Sequence, residues 1–358
     1  MIVGSLRSNN LDDKRISITP ESAKSYINLG LNLILEKNYG EHLNISDNEY
    51  IKQSVKITND RNEILQNSDL ITLVSFKNQF DDKIIKDDCI VVGLIDESIK
   101  NHFNKKNIKF FSLNKLPRIT RAQSMDVLSS QANLGGYRAV IDSMFEFEKA
   151  MPMMMTAAGT IPAARVLVIG VGVAGLQAIA TSKRMGAIVS ATDVRAVAKE
   201  QVESLGAKFL FVDNDDNFET AGGYAKEMST EYKKKQSQML EEALKKNDII
   251  ICTAQIPGKK APKIINNEML KFVKSGSIIF DLAAEQGGNC EHTKAGEIVN
   301  HNGIKIIGAK NLMNKLPLTA SNLYSKNIFS FVRNLFSKEK KTFNINLEDE
   351  IISKTIIT

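Results

Sequence analysis

Cysteine and histidine are scarce in this chain of 358 residues, with three of the first and four of the second. Cys89, Cys252 and Cys290 lie far apart without CxxC spacing, which excludes a disulfide framework and fits a reducing compartment. Cys89 and Cys252 fall inside apolar runs and read as small core residues. His42, His102, His292 and His301 show no ligand spacing, so no metal site is expected. A concentrated basic face is missing as well. The formal charge is +6, and the lysines are spread through segments such as "KKNIK" and "EYKKKQ" without interleaved aromatics. Nucleic-acid binding is therefore not expected. The N-terminus "MIVGSLRSNNLDDKR" has too short an apolar run for a signal peptide. One uncharged stretch, about 17 residues between Arg165 and Lys183, sits at the short limit for a membrane helix. Three glycines interrupt it at motif positions, and no transmembrane segment is expected.

What is present is an ordinary globular composition, 43% hydrophobic and 25% charged, with length enough for two domains. In the first third, "MIVGSL", "LNLILEK", "LITLVSF", "CIVVGLI" and "IKFFSL" read as strands. Between the first two, "TPESAKSYINLG" offers Thr19 as N-cap, Pro20 at the first helical position and Gly30 as a stop. Near-continuous apolar strands separated by helices imply a parallel sheet covered on both faces. From Arg165 onward a second set follows: "RVLVIG", "AIVSATD", "KFLFVD", "DIIICTA", "SIIFDLA" and "IKIIGAKN". Six strands in this rhythm suit a dinucleotide-binding sheet.

The expected fold class is therefore α/β: two doubly wound, Rossmann-like parallel-sheet domains with a cleft between them. Residues 1–125 form the N-terminal domain, completed by 318–358, and residues 126–317 form the nucleotide-binding domain. The return of the tail rests on an amphipathic pattern, with Leu323, Ile328, Phe329, Val332 and Phe336 near helical spacing. The Met-rich stretch "MPMMMTAAGTIP", residues 151–162, has two readings: an apolar linker on the core, or an arm that meets a second copy.

The strongest local motif is "VLVIGVGVAGLQAIATSKRMGAIVSATDVRA". Gly170, Gly172 and Gly175 follow a strand and open a helix, and a second strand ends at Asp193, 18 residues beyond Gly175. Gly170 permits the tight turn, Gly172 lets backbone approach a pyrophosphate, and Gly175 lets helix and strand pack closely. Val173 and Ala174 lie in the helix N-terminus, whose N–H groups and partial positive charge suit phosphate. A carboxylate at Asp193 can accept both hydroxyls of an adenosine ribose and repels a 2′-phosphate, which favours NAD(H). Val194 follows it directly, and Arg195 is a counter-signal, since arginine can hold a 2′-phosphate.

A second segment, "PRITRAQSMDVLSSQANLGGYR" at residues 117–138, gathers two arginines, a glutamine and an aspartate before a helix expected from about Asp126 to Lys149. Its spacing is open to three readings: a ligand site, a joining surface, or a helix cap. Asp126 as an N-cap is worth about 1 kcal/mol. Gly135 and Gly136 inside the helix each cost roughly 1 kcal/mol against alanine and suggest a close backbone approach.

Taken together, "RITRAQSMDVLSSQANLGGYRAVID", "MMMTAAGTIPAARVLVIGVGVAGLQAIATSKRMGA", "TDVRAVAKEQVESLGAKF", "AGGYAKEMS" and "LAAEQGGNCE" make the chain resemble a known family. It is similar to the NAD(H)-binding soluble component of proton-translocating nicotinamide nucleotide transhydrogenases, in the form where that component is a separate α subunit. The resemblance implies direct hydride transfer between NAD(H) on this chain and NADP(H) on a separate component, coupled to proton movement through membrane-spanning chains. It also implies a homodimer, and a cytoplasmic position on the inner face of the membrane through the partners. Arg118, Gln123, Asp126 and Ser129 match its nicotinamide-positioning loop, with Arg121 among the nucleotide contacts. Gly223 and Tyr224 match a mobile loop that closes over nucleotide, and Gln236 a further nucleotide contact. Where the family usually reads "LIPGKPAP" this chain has "QIPGKKAP", so Gln255 and Lys260 depart from it. Gln255 follows a strand and is expected beside the nucleotide.

Hydride transfer between two nicotinamides needs no general acid or base, so positioning and water exclusion are the protein's task. Arg118 would hold the carboxamide oxygen, with Asp126 and Gln123 engaging the amide or fixing the arginine. The alternative is the related alanine dehydrogenase, an amino-acid oxidoreductase that needs a lysine and a histidine in the first domain's cleft. Lys77 could supply the lysine, but His102 is not in the setting that role needs, and "MDVLSSQANLGG" is a transhydrogenase pattern.

Overall fold

The computed structural model describes residues 1–8, 12–76, 84–101, 107–212, 230–256 and 259–357. The chain divides into two compact units, Met1–Gln131 with Met313–Thr358, and Ala132–Leu312. Both are α/β and each is built on a sheet of seven strands dominated by parallel pairs.

In the first unit the sheet order is Ile356–Ile357, Lys109–Ser112, Ile90–Leu94, Leu70–Ser75, Ile2–Ser5, Asn32–Glu36, Lys56–Thr58. All neighbours are parallel except the C-terminal pair, where Ile356 faces Phe111 and Ile357 faces Phe110 in antiparallel register. The five strands read from sequence are apolar on both faces because helices cover both. The edge strand Lys56–Thr58 has no buried residue, so no hydrophobic pattern announced it. The helix Pro20–Leu29 carries a reciprocal cap: Ser22 N donates to Thr19 Oγ1 at 3.4 Å, and Thr19 N to Ser22 Oγ at 2.9 Å. It stops at Gly30, whose φ of 92° is left-handed.

The long helix Pro317–Leu335 packs into the same core as Leu35, Leu70, Val92 and Phe111. Its buried stripe is Tyr324, Ile328, Phe331, Val332 and Leu335. Leu323 and Phe329, counted into the stripe from spacing alone, are only half-buried. Tyr324 earns its place by its hydroxyl, which donates to the carbonyls of Leu73 and Val74 at 2.8 and 3.0 Å. A tyrosine in that register reads as polar until a partner for its hydroxyl is known.

The second unit has the order Lys208–Leu210, Ile188–Thr192, Arg165–Ile169, Ile249–Cys252, Ile278–Asp281, Ile304–Gly308, Ile298–His301. Numbered along the chain, its six parallel strands run 3-2-1-4-5-6, the dinucleotide-binding order. The seventh, Ile298–His301, forms an antiparallel hairpin with Ile304–Gly308 at the edge. The helix Val127–Glu146 ends three residues short of the Lys149 expected from sequence. The Met-rich stretch forms a two-stranded hairpin, Met154–Thr156 against Gly159–Ile161. Met155 in its first strand is 80% exposed, whereas Met151 is buried. Among the described residues no helix is long and apolar enough to cross a membrane.

All three cysteines are buried and free. Burial pushes the Cys89 thiol up to about 12 and that of Cys290 to about 11, and holds Cys252 well above its ordinary value. The thiolate is the reactive form. At pH 8 a disulfide reagent such as dithionitrobenzoate is therefore expected to leave the folded chain essentially unlabelled and to label all three thiols once it is unfolded in denaturant. Rapid labelling of any one in the native protein would contradict the packing described.

Candidate functional site

In the second unit the strand order reverses between Arg165–Ile169 and Ile249–Cys252. A crevice at the carboxyl ends of the strands is opened by such a switch. The glycine turn sits there. Gly170 has φ of 93°, and a Cβ on it would lie 2.7 Å from Thr253 Oγ1. A Cβ on Gly175 would lie 2.0 Å from the carbonyl oxygen of Gly170, so the helix Val173–Arg184 rests directly on the turn. Gly172 differs: a Cβ there would meet no protein atom within 4 Å. It is exposed, as is Val173, and Ala174 is half-buried. The first intrahelical bond returns from Leu176 N to Gly172 O at 2.9 Å. The amides before it belong to the set that an α-helix leaves without intrahelical acceptors. These features fit a phosphate-bearing nucleotide: open space at one glycine, close packing at the other two, and a helix N-terminus behind them.

Asp193 follows the neighbouring strand Ile188–Thr192. Its Oδ2 accepts from Val171 N at 2.7 Å and Arg195 Nη2 at 3.0 Å, and its Oδ1 from Arg195 N and Nε, both at 2.9 Å. Arg195 Nη2 also donates to the Val171 carbonyl at 3.1 Å. Burial works to raise the Asp193 carboxyl, but the bonds from Arg195 and Val171 outweigh it and hold it below its ordinary value. The carboxylate is thus ionised throughout the neutral range, and its four acceptor positions are taken. Arg195, the counter-signal in the sequence, folds back onto the aspartate and the glycine turn. Val194 between them is half-buried.

Beyond Ile249–Cys252, Thr253 Oγ1 donates to the Gly170 carbonyl at 2.8 Å, fixing the turn from the far side of the switch. Asn289, fully buried, accepts from Ala254 N at 3.1 Å and donates to the carbonyls of Ala254 and Pro262, both at 2.9 Å. Both residues were missed in the sequence. "TA" after an apolar run carries no special pattern, and Asn289 finds its partners only through the fold. Gln255 is exposed and its Nε2 donates to the Leu282 carbonyl at 2.9 Å, bridging the ends of adjacent strands. Gln236 is half-buried on the helix Thr230–Lys246. Gly223 and Tyr224 lie outside the described residues, as do Lys77 and His102.

The polar segment belongs to the first unit as far as Gln131. It runs through a 3-10 turn, Thr120–Met125, anchored by buried Ala122 and Met125. Arg118, Arg121 and Gln123 lie around that anchor, all three exposed. Asp126 caps the helix that follows: Oδ1 accepts from Ser129 N at 2.9 Å and Oδ2 from Ser129 Oγ at 2.6 Å. Arg121 makes a two-pronged pair with Asp349, Nη1 to Oδ2 at 2.9 Å and Nη2 to Oδ1 at 2.5 Å. Among the described residues no group of three or more His, Cys, Asp or Glu is placed to hold a metal ion.

Of the two helical glycines, only Gly136 makes the close approach. A Cβ on it would lie 2.0 Å from the carbonyl oxygen of Ala174, in the first turn of the helix Val173–Arg184, whereas the nearest atom to a Cβ on Gly135 is Leu282 Cδ2 at 3.7 Å.

Fold and site together define a nucleotide-binding chain with a dehydrogenase-type sheet. The chain belongs to the alanine dehydrogenase/PNT family: its N-terminal domain description matches residues 7–135 and its C-terminal domain description residues 139–358. It is 45% identical over 357 residues to the first of the parts that make up NAD(P) transhydrogenase subunit alpha in Rhodospirillum rubrum, covering 97% of this chain and 93% of that protein. The corresponding protein of Rickettsia prowazekii is 42% identical over 366 residues, covering 100% and 94%. Alanine dehydrogenase 1 of Staphylococcus aureus is 24% identical over 350 residues, covering 94% and 88%. Among solved structures, transhydrogenase from Sinorhizobium meliloti superposes with a TM-score of 0.88 at 39% identity, covering 100% and 98%. An L-alanine dehydrogenase shares the fold, with a TM-score of 0.79 at 17% identity, covering 99% and 94%.

The two helical glycines separate packing from propensity. Gly135→Ala is expected to be neutral or to stabilise the second unit by up to about 1 kcal/mol. Gly136→Ala, which drives a methyl into a backbone carbonyl, is expected to destabilise it by about 1–3 kcal/mol. Denaturant unfolding of the two variants beside the parent measures both signs.

Proposed function

We propose that this chain is the NAD(H)-binding α subunit of a proton-translocating NAD(P) transhydrogenase, one component of the oxidoreductase. In this reading it works with an NADP(H)-binding subunit and membrane-spanning chains, peripheral to the inner face of the membrane. The single observation that carries the nucleotide assignment is the glycine turn at residues 170–175 with ionised Asp193 beside it, at the switch point of a 3-2-1-4-5-6 sheet. The transhydrogenase assignment over alanine dehydrogenase is supported by 45% identity against 24%.

The bound NAD(H) supplies a hydride donor or acceptor at its nicotinamide. Backbone at Gly172, Val173, Ala174 and Gly175 would hold its pyrophosphate at the helix N-terminus. Asp193 would take the adenosine ribose hydroxyls, which replace the two side-chain bonds from Arg195 while Val171 N keeps the carboxylate in place. Val194 and Arg195 line the same end, and Gln255, Gln236, Gly223 and Tyr224 complete the nucleotide contacts. Arg118, Gln123, Asp126 and Ser129 orient the nicotinamide; Arg121 serves the same loop through Asp349. Since no O–H or N–H bond is made or broken, these residues act by orientation and by excluding water, and no acid–base pair is required. The exposed hairpin at residues 154–161 is the surface proposed to join two copies in a homodimer.

Two measurements test this. NADH fluorescence titration is expected to show binding to the isolated chain, weakened about tenfold or more by Asp193→Ala, the loss of hydrogen bonds to a charged group. Hydride transfer to an NADP⁺ analogue is expected from the chain mixed with an NADP(H)-binding component and absent from the chain alone. Alanine deamination with NAD⁺ would instead make it an amino-acid dehydrogenase.

A further inference from the structure

The loop that carries Arg118, Gln123 and Asp126 is held at points on both sides of Asp126 by groups more than 190 residues away. Asn327, on the helix Pro317–Leu335, is only 8% exposed. Its Nδ2 donates to the Ser124 carbonyl at 2.9 Å, and its Oδ1 accepts from Ser130 Oγ at 2.7 Å. The two bonds fix which end of the amide is which, because a carbonyl can only accept. One amide therefore spans the residues from Ser124 to Ser130 and sets the spacing within which Asp126 caps on Ser129. A second strap lies upstream. Asp349 takes the Arg121 fork, accepts Asn334 Nδ2 at 3.4 Å, and caps the C-terminal helix through Ile351 N at 2.9 Å. The bonds from Arg121, Ile351 and Asn334 outweigh burial and hold the Asp349 carboxyl below its ordinary value.

We infer that the C-terminal segment is a clamp on this loop, with Asn327 as a positioning residue for the hydride-transfer geometry; the role in catalysis rests on the function proposed above. Asn327 touches no reacting atom in this scheme. It acts by denying the loop the freedom to change the distance between Gln123 and Ser129, and a displacement of about 1 Å in a positioned reactant is enough to cost up to about a hundredfold in rate. Neither small replacement does both jobs. Aspartate keeps the acceptor for Ser130 but sets a carboxylate against the Ser124 carbonyl, and alanine removes both bonds.

The test uses the full chain with an NADP(H)-binding component and compares Asn327→Ala with the milder Ser130→Ala. The latter removes one of the two amide bonds, together with the local contacts of Ser130 Oγ to the Val127 carbonyl and Gln131 Nε2, and leaves the bond to Ser124. Amide hydrogen exchange over residues 123–130 is expected to quicken in both, more in Asn327→Ala. The hydride-transfer rate per nucleotide-loaded chain is expected to fall about tenfold or more in Asn327→Ala and less in Ser130→Ala, with NADH affinity within about twofold of the parent. Unchanged exchange in both variants overturns the clamp. Rate and NADH affinity falling in equal measure overturns the positioning role, because general loosening does that. If the parent itself transfers no hydride, the proposed function and the catalytic role fall together, while the exchange data still decide whether the clamp exists.

Discussion

The first turn of the helix Val173–Arg184 has bare backbone pressed against it from two directions, and the geometry of the proposed nucleotide site depends on that contact. On one side Gly175 sits where a Cβ would be 2.0 Å from the Gly170 carbonyl; on the other, Gly136 brings the helix Val127–Glu146 equally close to the Ala174 carbonyl. Neither approach tolerates a methyl group. Because both neighbours are backbone rather than flexible side chain, the helix N-terminus has no soft direction in which to relax. Thr253 then pins the Gly170 carbonyl from the opposite half of the sheet, and Asp193 with Arg195 pins both polar atoms of Val171. A helix terminus is useful for holding phosphate only if its amides keep their direction. Here they are held by contacts on every side but that of Gly172.

Much of this was readable from local pattern, and the reason is that the rules concerned are local. Glycine spacing, an apolar strand before it and an acidic residue after the next strand are all statements about neighbours along the chain. The same holds for the cap at Thr19 and the stop at Gly30. The pairing of Gly136 with Ala174 was half legible: two glycines in a helix announce a close approach but not which one makes it. What the sequence could not show are partners chosen by the fold. Asn289 reaches back to Ala254 and Pro262, Asn327 to Ser124 and Ser130, and Asp349 to Arg121. Each is a small polar residue in an unremarkable setting, and nothing in its near neighbours distinguishes it from a surface position. Strands Lys56–Thr58 and Ile298–His301 escaped for a related reason: at a sheet edge, pairing needs backbone rather than an apolar pattern.

Arg195 shows how a sequence signal changes meaning once its side chain is placed. An arginine two residues after the ribose-binding position suggests a receptor for a 2′-phosphate. In the structure it is an internal partner, giving Asp193 three of its four hydrogen bonds. A carboxylate saturated in this way stays ionised and fixed without nucleotide. In the nucleotide site proposed, a ribose diol would exchange for the guanidinium rather than meet an unsolvated charge, so less of the binding energy would be lost to desolvation. A 2′-phosphate would have to displace the arginine and face the carboxylate it uncovers.

In the segment at residues 117–138, a helix cap and a ligand site need not exclude each other. Capping and recognition compete only if a residue must give up one to do the other. Asp126 caps through Ser129, and it is this bond, bracketed by Asn327 at Ser124 and Ser130, that makes the loop a shape rather than a length of chain. For the hydride transfer proposed, which moves no proton at the site, shape is the larger part of what protein can contribute. The scarcity of histidine is compatible with the site proposed. Its polar residues include arginine, glutamine, asparagine and serine, groups that hold direction without changing charge near neutral pH.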